Sequence, residues 1–226
     1  MNISIYEISI WVIPVIIAIT FHEAAHGFVA WKLGDDTAYR MGRVTFNPFK
    51  HIDPMGTIIL PAILLLAKAP FMFGYAKPVP VQFKNLRGGR RDMVLVAAAG
   101  PGVNLLLAIA SALALHAVPL VPQDMRHWFG SMLSNSVWLN LILAVFNMLP
   151  IPPLDGGRVA VGLLPKLLAM PLARLERFGF LIVIGLIIVL PMVGRNLGVN
   201  LNPIGWLIER AVDSLANLIF KLVGEF

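Results

Sequence analysis

Two histidines and a glutamate stand in the order His22-Glu23-Ala24-Ala25-His26. On an α-helix, residues four apart share one face, so His22 and His26 can present two imidazoles to one zinc ion, with Glu23 beside them as a candidate general base. The surrounding residues, from about Ile5 to Leu33, are almost all apolar and long enough for a helix across a bilayer. Metal-dependent hydrolysis is therefore predicted inside a membrane. A catalytic zinc site usually takes three protein ligands and leaves a further position open. With no cysteine in the chain, disulfides, thiolate catalysis and thiolate ligands are excluded, and the third ligand has to be His, Asp or Glu.

The elements that must position these groups are apolar helices. Of 226 residues, 58% are hydrophobic and 13% charged, and the mean hydropathy is +0.80, leaving too little polar surface to cover a soluble globule. Residues 1–226 are read as one integral membrane domain. The net charge of +6 does not indicate nucleic acid, because the basic residues sit in short loops rather than in one patch with interleaved aromatics. No basic segment precedes the first apolar run, and a signal-peptide cut after Ala30 would delete the histidine motif, so the run is read as a retained span.

Lysines and arginines set an orientation. Residues 1–7 carry none, whereas Lys32, Arg40, Arg43 and Lys50 follow the first span, which places the N-terminus outside and this loop in the cytosol. Lys77, Lys84, Arg87, Arg90 and Arg91 mark a second cytosolic stretch. Residues 55–73 lie between two inside loops and are broken by Pro61 and Pro70, so they read as re-entrant or interfacial, with an ordinary crossing as the alternative. Full crossings follow at Met93 to Val118, Ser136 to about Ile151 and Phe178 to Val193, the first two joined by an outer loop from Pro119 to about Asn135. Pro203 to Val223 spaces its polar residues as an amphipathic helix on the membrane surface. The fold class is an all-α polytopic membrane protein with about four transmembrane helices.

Asp155 is the best candidate for the third ligand. It closes an inward-running span, and His22 stands roughly 16 Å above Leu33 on another, so the depths can match. On turn chemistry alone, Asp155-Gly156 reads as a turn at the membrane boundary; the presence of His22 and His26 favours the ligand.

His22 to His26 in the first span, with Asn147-Met-Leu-Pro150-Ile-Pro-Pro-Leu-Asp155-Gly156 at the end of a later one, resembles the site-2 protease family of intramembrane zinc metalloproteases. Gly42-Arg43-Val-Thr-Phe-Asn47-Pro48, Gly74-Tyr-Ala-Lys-Pro-Val-Pro80 and Ala99-Gly100-Pro101-Gly-Val-Asn104 fit its compact branch, which lacks a PDZ domain. The resemblance implies one zinc per chain on His22, His26 and Asp155, with Glu23 as the catalytic glutamate. It also implies substrates that are single-pass membrane proteins or signal-peptide remnants, cleaved within or near their transmembrane segments, in the cell membrane. Selection then rests on the substrate helix or on a partner, an adaptor or a second copy of the chain. Asn147 and Asn104 are expected to contact substrate backbone or unwound helix ends, with hydrogen bonding between helices as the alternative for each. Strand-forming Tyr39, Val44, Thr45 and Phe46 around Gly42 predict a small β-hairpin over Thr37 to Phe46, which either binds an unwound substrate along Val44, Thr45 and Phe46 or only fills the space between helices. His51 reads as a loop histidine bonded to nearby backbone, with an oxyanion donor or accessory ligand as the alternative, and Asp53 as a helix cap.

Two other classes fit a helical membrane protein with an intramembrane metal motif. A metal transporter should line a through-path with ionisable groups from several spans, whereas these ligands converge on one depth. A noncatalytic scaffold would have no use for Glu23.

Overall fold

The computed structural model describes residues 5–59, 63 and 76–224. Among the described residues, four stretches are long and apolar enough to cross a membrane: Ile5–Lys32 (α1), Arg90–Leu115 (α3), Gln123–Asn147 (α4) and Lys166–Asn196. The last is built from Lys166–Arg174 (α6), Gly179–Ile184 (α7) and Leu190–Asn196 (α8), with a π turn over Gly185–Val189 before α8. Thr37–Arg40 (α2) is one helical turn, Asp155–Leu163 (α5) is short, and Pro203–Val223 (α9) closes the chain.

Helix direction follows from side-chain contacts. Trp128 Nε1 donates to Ser9 Oγ at 2.8 Å and Asn135 Nδ2 to the Ile10 carbonyl at 3.2 Å, so α1 and α4 start at the same end and run in parallel. His26 meets Val96 while Ala18 meets Asn104, so α3 runs antiparallel to α1. α4 begins immediately after Pro122, taking in most of the residues expected to form an outer loop. Ile8, Trp11, Val12, Ile16 and Ile17 on α1 are exposed, whereas Thr20, His22, His26, Asn104 and Asn140 are buried. That inversion of the water-soluble pattern suits a helix bundle in lipid. Small residues let α3 approach its neighbours, and fully buried Ala108 and Ala112 pack with Val137 and Leu141 of α4 and with Val212, Ala216 and Ile219 of α9.

Among the described residues there is no strand, and the expected hairpin over Thr37 to Phe46 is corrected. Thr37–Arg40 takes a helical turn because Asp35 Oδ1 accepts from the Thr37 backbone N–H and Asp36 pairs with Arg40 at i,i+4. The turn ends at Gly42, with φ of 62°, where Arg43 N–H donates to the Ala38 carbonyl, and residues 44–46 follow as bends. Local strand propensity lost to these bonds.

Asp53 caps the next short helix: its carboxylate accepts from Gly56 N–H at 2.7 Å, and Thr57 Oγ1 accepts from Asp53 N–H at 3.1 Å. Residues 60–62 and 64–75, most of the segment read as re-entrant or interfacial, lie outside the described residues. Its flanks meet, since Lys77 N–H donates to the His51 carbonyl at 2.9 Å.

From Ala76 the chain runs as an extended strap to Val81. Fully buried Asp35 anchors its far end, accepting from Gln82 N–H at 2.6 Å, Asn85 Nδ2 at 2.9 Å and the Thr37 hydroxyl at 2.5 Å. Burial pushes this carboxyl up, and the donors from Thr37, Asn85 and Gln82 outweigh burial and hold it below its ordinary value. Asp35→Ala is expected to destabilise the protein by about 2–3 kcal/mol, read by denaturant unfolding in detergent. The folded carboxyl titrates below the unfolded one, so its contribution is complete above the unfolded value of about 3.9 and disappears as pH falls through the lower folded value. The wild-type advantage over the variant should therefore shrink on acidification.

Candidate active site

His22 and His26 project from the buried face of α1, one turn apart. Asp155 opens α5, and the chain has to fold back sharply after α4 to place it beside the histidines. A Cβ on Gly156 would stand 2.2 Å from the Met148 carbonyl oxygen, and one on Gly157 would stand 2.5 Å from Pro152 N. Only glycines allow that approach. Arg90 of α3 then clamps the other end of α5, donating to the Val161 and Leu164 carbonyls.

Three atoms converge. His22 Nε2 lies 3.0 Å from His26 Nε2, and Asp155 Oδ2 lies 3.2 Å from the first and 3.3 Å from the second. Each imidazole has its other nitrogen engaged: His26 Nδ1 faces the Val96 carbonyl at 2.7 Å and His22 Nδ1 faces Asn104 Oδ1 at 2.6 Å. Both partners accept, so each Nδ1 carries a proton, and in the neutral form each ring turns a bare Nε2 lone pair inward. No group among the described residues donates a hydrogen bond to the buried Asp155 Oδ2. Lone pairs gathered this closely repel unless a cation lies among them. Metal–ligand bonds of about 2.0–2.1 Å in a tetrahedron set ligand atoms about 3.3 Å apart, which these separations match. His22, His26 and Asp155 can thus hold one metal ion.

Gly100 of α3 completes the cradle. A Cβ there would stand 2.4 Å from His26 Nε2 and 2.5 Å from His22 Nε2. The small-residue run from Ala97 to Gly102 therefore leaves room for the ligand atoms themselves at Gly100. Gly27 serves a different contact, facing Val44 and Val79.

Glu23 lines a cavity of about 630 Å³ together with His22, His26, Asp155, Asn147 and Arg158. Its Oε2 accepts from the Val79 backbone N–H at 2.7 Å, so the strap lies directly over this carboxylate. Apolar Leu143, Phe146, Phe180, Val183 and Val79 form much of the remaining wall.

The other sequence candidates separate. Asn147 reaches the cavity. Asn104 is fully buried behind the His22 ring, with its amide committed to His22, Asn140 and Ala18, away from any substrate path. Val44, Thr45 and Phe46 line a second, apolar groove with Phe21, Ala24 and Phe28, on another face of α1. His51 donates from Nε2 to the Thr45 carbonyl at 2.9 Å and supports the loop beneath the strap. Sequence reasoning missed Asp35, Val79 and Asn140; a polar amide within an apolar span was the one signal available for Asn140.

YwhC of Bacillus subtilis, named "Putative zinc metalloprotease YwhC", is 41% identical over 175 residues, covering 76% of each chain. This chain belongs to the site-2 protease family, peptidase family M50. A profile of peptidase family M50 matches residues 121–191, which include Asn147 and Asp155. Rip2 of Mycolicibacterium smegmatis, also named as a putative zinc metalloprotease, is 32% identical over 174 residues, covering 76% of this chain and 64% of that one. No solved structure matches. With four apolar stretches among its described residues long enough to cross a bilayer, this site-2 family member is an integral membrane protein.

Gly100→Ala is expected to reduce bound metal from about one ion per chain to near zero while helix content is unchanged. Elemental analysis of the purified protein, alongside circular dichroism, checks both.

Proposed function

We propose that this chain is an intramembrane zinc metalloendopeptidase that hydrolyses peptide bonds within or near the transmembrane segments of other membrane proteins. Support comes from one observation above all: two imidazole nitrogens and an undonated carboxylate oxygen meet 3.0 to 3.3 Å apart beside the cavity that Glu23 lines. The names of the relatives favour zinc as the ion. The ligands assigned to it are His22, His26 and Asp155, and when bound it supplies Lewis acidity, polarising a carbonyl oxygen and making water more acidic.

Glu23 is assigned as the general base. Val79 N–H engages Oε2, so Oε1 is the oxygen given the proton of the attacking water, which Glu23 passes on to the departing amide nitrogen. The apolar wall formed by Leu143, Phe146, Phe180 and Val183 suits the side chains of a transmembrane substrate. A helical substrate hides its peptide bonds in its own hydrogen bonds, so it has to unwind locally before cleavage. Asn147, at the cavity edge, is assigned to hold the unwound backbone.

The orientation follows from the basic loops: N-terminus outside, with the site toward the cytosolic end of the bundle. The membrane is proposed to be the cell membrane and the substrates single-pass proteins or signal-peptide remnants, recruited directly or through an adaptor or a second copy.

Glu23→Gln is expected to lower cleavage of a transmembrane peptide in vesicles by about 10²–10⁴-fold while metal content stays near one ion per chain. His22→Ala should lose both. Wild-type turnover by Glu23→Gln, or zinc flux across the vesicle in place of cleavage, would end this reading.

A further inference from the structure

The two histidines have their tautomers fixed by unlike means. His26 Nδ1 faces the Val96 carbonyl, a main-chain oxygen that can only accept. His22 Nδ1 faces the side-chain amide of Asn104, which has an accepting end and a donating end and can present either by turning about its last bond. Turned the other way, Asn104 would offer N–H to Nδ1, drive the proton to Nε2 and remove the lone pair directed at Asp155. Something has to hold the amide in register.

That group is Asn140 of α4. Asn104 Nδ2 donates to Asn140 Oδ1 at 2.8 Å and approaches the Ala18 carbonyl at 3.4 Å. Asn140 Nδ2 in turn donates to the Ser136 carbonyl at 2.9 Å. Turning Asn140 would set oxygen against the Ser136 carbonyl, and turning Asn104 would set oxygen against Asn140 Oδ1 and the Ala18 carbonyl. Both amides are fully buried, so water cannot compensate for a turned amide, and an unpaired polar group there is costly.

We propose that Asn140, acting through Asn104, is a positioning residue that fixes His22 as its Nδ1–H tautomer and so keeps Nε2 available to the metal. This rests on the metal assignment made above. The relay starts from the Ser136 carbonyl, a backbone group held in α4, and crosses α3 to reach α1, so correct packing of three helices is read out as a lone pair on one ligand.

The test measures zinc affinity of full-length protein in detergent, by competition with a chromophoric chelator. Asn140→Leu removes the acceptor for Asn104 without leaving room for water, and the expected loss is about 10–100-fold. Asn104→Asp has no donating end, so a carboxylate there accepts from Nδ1 whichever way it turns. The double variant Asn104→Asp with Asn140→Leu is expected to recover affinity to within about 3-fold of Asn104→Asp alone. Unchanged affinity in Asn140→Leu overturns the relay, and so does a loss that Asn104→Asp fails to rescue, which is the result expected of a merely structural role. If Asn140→Leu does not fold, the comparison moves to Asn104→Asp against Asn104→Leu: retention by Asp and loss by Leu support the acceptor role, and equal affinities overturn it. Wild-type protein that binds no zinc would instead sink the metal assignment itself.

Discussion

Three ligand atoms aimed at one point are the constraint around which this bundle is organised. Two imidazole nitrogens and a carboxylate oxygen within 3.3 Å of one another repel unless a cation joins them, and the protein holds them there at evident cost. His22 and His26 are locked by acceptors behind them, Asp155 is delivered by a chain reversal that only glycines permit, and Gly100 keeps the intervening space open.

The bundle serves this point by placing polarity where lipid-facing helices have none. The outer surface of α1 is isoleucine, valine and tryptophan, while the buried face carries Thr20, His22 and His26. In hydrocarbon a buried amide has to be satisfied by protein, so the chain from the Ser136 carbonyl through Asn140 and Asn104 to His22 joins three helices and specifies their register at once. At the other end of the site, the strap over residues 76–81 is tied down by Asp35 and by Arg43, which donates to the Lys77 carbonyl at 2.8 Å. It contributes a backbone N–H to Glu23, so the loops on that face of the bundle and the proposed base form one connected structure.

The parts of the site legible in the sequence were those with helical spacing or covalent punctuation. His22 and His26 follow from a four-residue interval, and Asp155 follows from prolines and glycines that interrupt an apolar span. Loop contacts were less legible. Strand-forming side chains at Tyr39, Val44, Thr45 and Phe46 pointed to a hairpin, but Asp35 and the Asp36–Arg40 pair hold the first part as a helical turn. Asn104 was visible as an expensive amide, yet whether it faced substrate or a ligand depended on the rotation of α3, which apolar residues on every side do not encode. Val79 was unreadable for a related reason: the group that matters there is its backbone N–H, and any residue but proline carries one.

X-ray absorption at the zinc edge of the purified wild-type protein reads the ligands of the ion itself. The expected result is one ion per chain with two imidazoles and a carboxylate oxygen in its nearest shell, nitrogen and oxygen alone at about 2.0–2.2 Å. A shell without imidazole scattering, or an ion present far below one per chain, would contradict it.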